Sequence, residues 1–123
     1  MHKKSRKGLK RIWDAAGYSL QGFRAAWVNE AAFRQELLLV LVLLPTACWL
    51  GTTAVQRILL IFSLLLILIV ELLNSAVETV IDRIGPEYHE LSGRAKNLGS
   101  AAVLISLIAA ATVWGLTAWE RWG

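Results

Sequence analysis

The sequence predicts an all-α membrane protein: three transmembrane helices preceded by an amphipathic interfacial helix. Three observations carry that prediction. The chain is apolar, three long uncharged runs fill most of it, and its positive charge gathers on one side of those runs. Of 123 residues, 56% are hydrophobic and 18% charged, against about 25% charged in soluble domains. Mean hydropathy is positive, at +0.52. The length allows one domain and leaves no room for a P-loop or Rossmann sheet with its helices. A chain this apolar is not intrinsically disordered. Cys48 is the single cysteine and lies in an apolar run, so a disulfide framework is excluded.

The runs come first. Residues 37–56 and 98–119 carry no formal charge, and residues 58–81 are interrupted only by Glu71 and Glu78. They are 20, 22 and 24 residues long. A bilayer core about 30 Å thick needs roughly 20 apolar residues. The expected organisation is one membrane domain, 1–123, with a surface helix at about 8–34 and spans at about 35–51, 57–84 and 87–120. The surface helix is read from a stripe of Leu9, Trp13, Ala16, Leu20, Phe23 and Trp27 at alternating spacings of four and three. Lys7, Lys10, Arg11, Asp14, Gln21 and Arg24 supply its polar side, as in a helix lying in the interface. The first span starts too late for a cleaved signal peptide. It contains Pro45, a site for a kink. Gly51-Thr52-Thr53 turns the chain into the second span. Gly85-Pro86 ends that span and opens the way to the third. Trp49, Trp114, Trp119 and Trp122 fall near the far ends of spans one and three, as an aromatic belt does.

Charge gives the topology. Lys3, Lys4, Arg6, Lys7, Lys10, Arg11, Arg24 and Arg34 precede the first span; Arg83, Arg94 and Lys96 lie between the second and third. Arg57 and Arg121 fall on the other side. The positive-inside rule then places the N-terminus in the cytoplasm and the C-terminus outside. The net charge of +4 reads as topology plus attraction to anionic headgroups. No nucleic-acid-reading domain accompanies the basic segment, so nucleic acid is not an expected partner.

The chemistry gathers in residues 71–82. Glu71, Asn74, Ser75, Glu78 and Asp82 are spaced i, i+3, i+4, i+7, i+11 and share one helix face. A carboxylate near mid-membrane costs about 2.5 kcal/mol or more, so this face meets protein or water. Asn74 and Ser75 alone would serve to glue helices. Two glutamates and an aspartate exceed that need. The second span runs inward, so Glu71 lies in its cytoplasmic half and Glu78 near the interface. Asn29, Glu30, Arg34, Gln35 and Glu36 collect at the same level before span one. So do Glu87, His89, Glu90, Arg94, Lys96 and Asn97 before span three. Glu30 and Glu78, at similar depth on different helices, suit Mg²⁺ shared with substrate phosphates. Glu71, deeper, suits a general base. Arg11, Lys96 and Arg94 suit phosphate. Together they describe in-line phosphoryl transfer to a lipid hydroxyl. The P-loop and protein-kinase glycine loops are absent. Residues 93–100 are glycine-rich at the wrong spacing, and Ala95 with Gly99 reads as a close-packing pair. His89 alone is a surface histidine, and no Cys/His cluster indicates zinc.

The stretches 30–36, 71–82 and 87–96, with Ala15-Ala16-Gly17-Tyr18-Ser19, closely resemble the bacterial integral-membrane diacylglycerol kinases. The resemblance runs from about Arg11 into the third span and points to the Gram-negative branch. Undecaprenol kinases are siblings sharing the acidic motif. It implies a homotrimer in the bacterial inner membrane, with active sites shared between subunits. It implies ATP and diacylglycerol as substrates, Mg²⁺ as cofactor and phosphatidic acid as product. By position, Glu71 matches the catalytic base, and Glu30 and Glu78 the metal ligands. Arg11, Tyr18, Glu30, Asn74, Glu78, Glu87, Tyr88, His89, Lys96 and Asn97 match nucleotide positions. Arg11, Ala15, Ala16, Gly17, Tyr18, Ser19, Arg24, Trp27, Phe33, Arg34, Gln35, Glu36, Glu71 and Ser100 match lipid-substrate positions. Asn97 departs from a usual aspartate, and Asp14 from a position where a base can occur. The rival expectations are undecaprenol as acceptor, a small proton-coupled transporter built on Glu71 and Glu78, and a passive assembly subunit.

Overall fold

In the computed structural model, which describes residues 7–123, the chain is four helices joined by short connections. Lys3, Lys4 and Arg6, counted in the charge asymmetry, lie outside the described residues. The helices are α1 (Leu9–Asn29), α2 (Ala31–Leu50), α3 (Ala54–Ile84) and α4 (Glu90–Trp122). The last three are long and apolar enough to cross a membrane. At about 1.5 Å per residue, the 31 residues of α3 extend about 46 Å. That exceeds a bilayer core of about 30 Å, so part of α3 lies beyond the core.

Local chemistry sets the helix ends. α1 and α2 are separated by Glu30 alone, whose backbone is extended (φ −119°, ψ 104°). Its N–H still donates to Ala26 at 2.9 Å, and its carbonyl accepts from Arg34 at 3.2 Å. The turn therefore falls at Glu30, whereas the apolar pattern places the boundary near residue 34. The Asn29-Glu30 pair has no glycine or proline to announce a break. Pro45 sits inside α2. Thr53 caps α3 by accepting from the Gln56 N–H at 3.1 Å, and Gln56 Oε1 accepts from both the N–H and the hydroxyl of Thr52. This is a capping box displaced by one residue. α3 stops at Gly85, whose φ of +157° suits glycine. α4 begins at Glu90 rather than at Pro86, because His89 supplies its cap: Nδ1 accepts from the Leu91 N–H at 3.0 Å.

α3 lies between α2 and α4 and packs against both, while α1 packs chiefly on α2. The tightest core is at the Arg57 end, where Ala47, Leu50 and Leu60 are buried against Ile61, Val113, Trp114 and Ala118. Trp114 Nε1 donates to Ser63 Oγ at 3.1 Å, and the Ser63 hydroxyl donates in turn to the Leu60 carbonyl at 2.7 Å. Both polar groups are thereby satisfied within the packed spans. Two arginines close the same end. Arg57 Nε donates to the Cys48 carbonyl at 3.1 Å; Arg121 donates to Trp49 and Leu50 at 3.1 and 3.2 Å. These are last-turn carbonyls of α2 that lack helical partners. Arg121 also lies over the rings of Trp49 and Trp122. Large apolar side chains such as Leu38, Leu41, Phe62, Ile69 and Ile105 face outward along the spans.

Candidate active site

At the opposite end the polar face of α3 meets the α1–α2 corner. Glu71 is 5% exposed and Ser75 8%. Glu78 is partly buried one turn further on, and Asp82 is exposed. Helical spacing put these groups on one face, and packing turned that face toward the other helices. Ser75 Oγ donates to Glu30 Oε1 at 3.3 Å. This single contact ties the break between α1 and α2 to α3. It fixes one carboxylate oxygen and leaves the other for a different partner. Glu71 lies within electrostatic reach of both Glu78 and Glu30. Glu36, on α2, is within reach of Glu71. Glu71 thus feels the charge of three other carboxylates, on α2, α3 and the α1–α2 corner. Repulsion among these groups at the α1–α2 corner is relieved by a bound cation or a proton.

Beside it is a cleft of about 460 Å³ between α1 and α3, with Ser19, Phe23, Ala26, Glu30, Ser75 and Thr79 on its walls. Its lining is mainly apolar, with Ser19, Asn29, Glu30, Ser75 and Thr79 as the polar residues. A second cavity of about 300 Å³ lies where α3 turns into α4, between Asp82, Glu87, His89 and Lys96. Tyr88, Arg94, Lys96 and Asn97 line an adjoining groove. Of the nucleotide-type positions, Glu87, Tyr88, His89, Lys96 and Asn97 line these two cavities, while Glu30 lines the α1–α3 cleft with the lipid-type Ser19.

Other expected site residues are distributed as follows. Arg11, Ala15, Ala16, Gly17, Tyr18, Ser19, Arg24 and Trp27 are exposed along α1, and Gln35 and Ser100 are exposed on α2 and α4. Arg34 reaches back to the end of α1, where it donates to the Trp27 and Val28 carbonyls at 2.6 and 3.3 Å. Phe33 is 1% exposed, packed within the protein. Asn74 turns toward α4, where its Oδ1 is buried against Gly99 with no hydrogen-bond partner among the described residues. Glu36 Oε2 is likewise buried and unpartnered there. Sequence reasoning overlooked two features. Ser75 is the partner that orients Glu30, a role its place beside Asn74 did not reveal. Gly99 admits the Asn74 carboxamide, for which the Ala95/Gly99 pair was the available signal.

Residues 17–118 match the model for prokaryotic diacylglycerol kinase. A diacylglycerol kinase from Escherichia coli K12 is 60% identical over 116 residues, covering 94% of this chain and 95% of that protein. Those from Haemophilus influenzae and Pseudomonas aeruginosa are 54% and 51% identical. They cover 88% and 90% of this chain, and 92% and 90% of their own lengths. With matches of that extent and identity, this membrane protein belongs to the prokaryotic diacylglycerol kinase family.

Proposed function

We propose that the protein transfers the γ-phosphoryl group of ATP to the free hydroxyl of 1,2-diacylglycerol, giving phosphatidic acid and ADP. The observation that carries this reading is the buried Glu71, set beside Glu30 and Ser75 and next to an apolar cleft. In the proposed reaction the lipid hydroxyl lies at Glu71 with its acyl chains in the membrane. Glu71 accepts the hydroxyl proton as the oxygen attacks phosphorus. The bond from phosphorus to the β–γ bridging oxygen breaks, and ADP departs toward the α3–α4 turn. Lys96, Arg94 and Arg11 offer charge to the phosphates.

Mg²⁺ fits the donor set. Glu30 and Glu78 offer hard oxygen ligands; no group of three or more acidic, histidine or cysteine side chains gathers among the described residues, so phosphate oxygens and water would complete the shell. One or two carboxylates plus phosphates is the usual Mg²⁺ arrangement. When bound, the ion would neutralise charge on the transferring group.

The reading includes a homotrimer in the bacterial inner membrane, with α1 lying in the cytoplasmic interface and α4 ending outside. The outward-facing apolar side chains of the spans and the exposed stripe of α1 support it. The polar clusters at one end of the helices favour an enzyme over a transporter, which needs access from both faces. The test is a phosphoryl-transfer assay in detergent with ATP, magnesium and both diacylglycerol and undecaprenol. Faster turnover of diacylglycerol is expected. Preference for undecaprenol would overturn the acceptor, and transfer to neither would overturn the kinase reading.

A further inference from the structure

The polar face of α3 is held on two flanks. On one, Ser75 meets Glu30. On the other, Asn74 lies against Gly99 of α4. Around the α3 axis, Ser75 stands about 40° to one side of Glu71 and Asn74 about 60° to the other. Glu71 and Glu78 lie between them.

A Cβ added at Gly99 would collide with Asn74 Oδ1 and come within 3.2 Å of its Cγ. The carboxamide sits where it does because position 99 has no side chain. That same oxygen is buried without a partner among the described residues. An unmet buried acceptor is unfavourable, so something must hold it there or complete it. Close packing alone would explain a small residue at 99. It does not explain a buried polar oxygen turned into that contact on the same helix face as Glu71 and Glu78.

We propose that Gly99 is a positioning residue for the phosphoryl transfer. By leaving room for the Asn74 carboxamide, it holds Oδ1 ready for a donor that arrives with the substrates, a hydroxyl or a water. This rests on the kinase reading above.

The experiment compares purified wild type, Gly99→Ala, Asn74→Ala, the double variant and Gly115→Ala. The last is a control on the same helix, because a Cβ at Gly115 meets nothing within 4 Å. Gly99→Ala is expected to lower kcat about 10- to 100-fold, as a small displacement near reacting groups does, with KM for ATP and diacylglycerol little changed. Gly115→Ala should match wild type. Once Asn74 is an alanine, the extra methyl has nothing to displace. The double variant should therefore turn over as Asn74→Ala alone does. Wild-type kcat in Gly99→Ala overturns the proposal. So do losses that multiply in the double variant, or a loss confined to KM. If Gly99→Ala fails to fold, the double variant must fold as Asn74→Ala does; a double variant that also fails overturns it. Absence of turnover in wild type would sink the kinase reading as well. Active wild type with an indifferent Gly99→Ala sinks this inference alone.

Discussion

Glu71 and its neighbours divide the work at the scale of single side chains. Glu71 is enclosed, Glu30 is oriented, and Asn74 is held from the α4 side. Removing the proposed base, as Glu71→Gln, should cut kcat by about 10²- to 10⁴-fold. Steady-state phosphorylation of diacylglycerol checks this, and an intact rate would refute the assignment. Ser75→Ala tests the orientation of Glu30. It should raise the Mg²⁺ concentration for half-maximal activity by roughly 10- to 100-fold, the scale seen when a ligand's support is lost. A magnesium titration reads it, and an unchanged midpoint would mean that Glu30 needs no help from Ser75. The acidic face itself was legible from spacing alone. The Ser75–Glu30 contact was not, because it joins residues 45 apart and depends on the angle at which the α1–α2 corner meets α3.

Arginines govern the helix ends. Arg34 satisfies the end of α1, and Arg57 with Arg121 satisfies the end of α2. Each guanidinium meets carbonyls carrying the negative end of a helix dipole. Arg121→Ala removes two such bonds and two ring contacts at an exposed position. It should lower stability by about 1 to 2 kcal/mol after allowance for solvent. Thermal unfolding in detergent would show this, and a midpoint equal to wild type would deny the clasp any role. The helices were legible because apolar runs long enough to span a bilayer leave few alternatives. Their ends were less so. Val28, Asn29, Glu30 and Ala31 carry no strong breaker, and His89 gives no helix signal until its ring is seen to accept the Leu91 N–H.

At the scale of the molecule, the spans turn large apolar side chains outward that lipid or neighbouring copies must cover. Chemical cross-linking in detergent should capture trimers, and a ladder ending at monomer would contradict the proposed assembly. Orientation is checked in a Cys48→Ser background. An impermeant thiol reagent applied to intact cells should label Glu120→Cys and not Lys7→Cys; the reverse pattern would invert the topology. The clasp at the end of α2 also bears on the history of the molecule. Arg121 closes on a carbonyl 72 positions earlier, so the contact cannot exist while α4 is still being delivered to the bilayer. Until then Arg57 alone serves the end of α2. The last bonds to form are thus a signature of complete insertion. A chain whose final helix is misplaced leaves the Trp49 and Leu50 carbonyls to water instead of to Arg121.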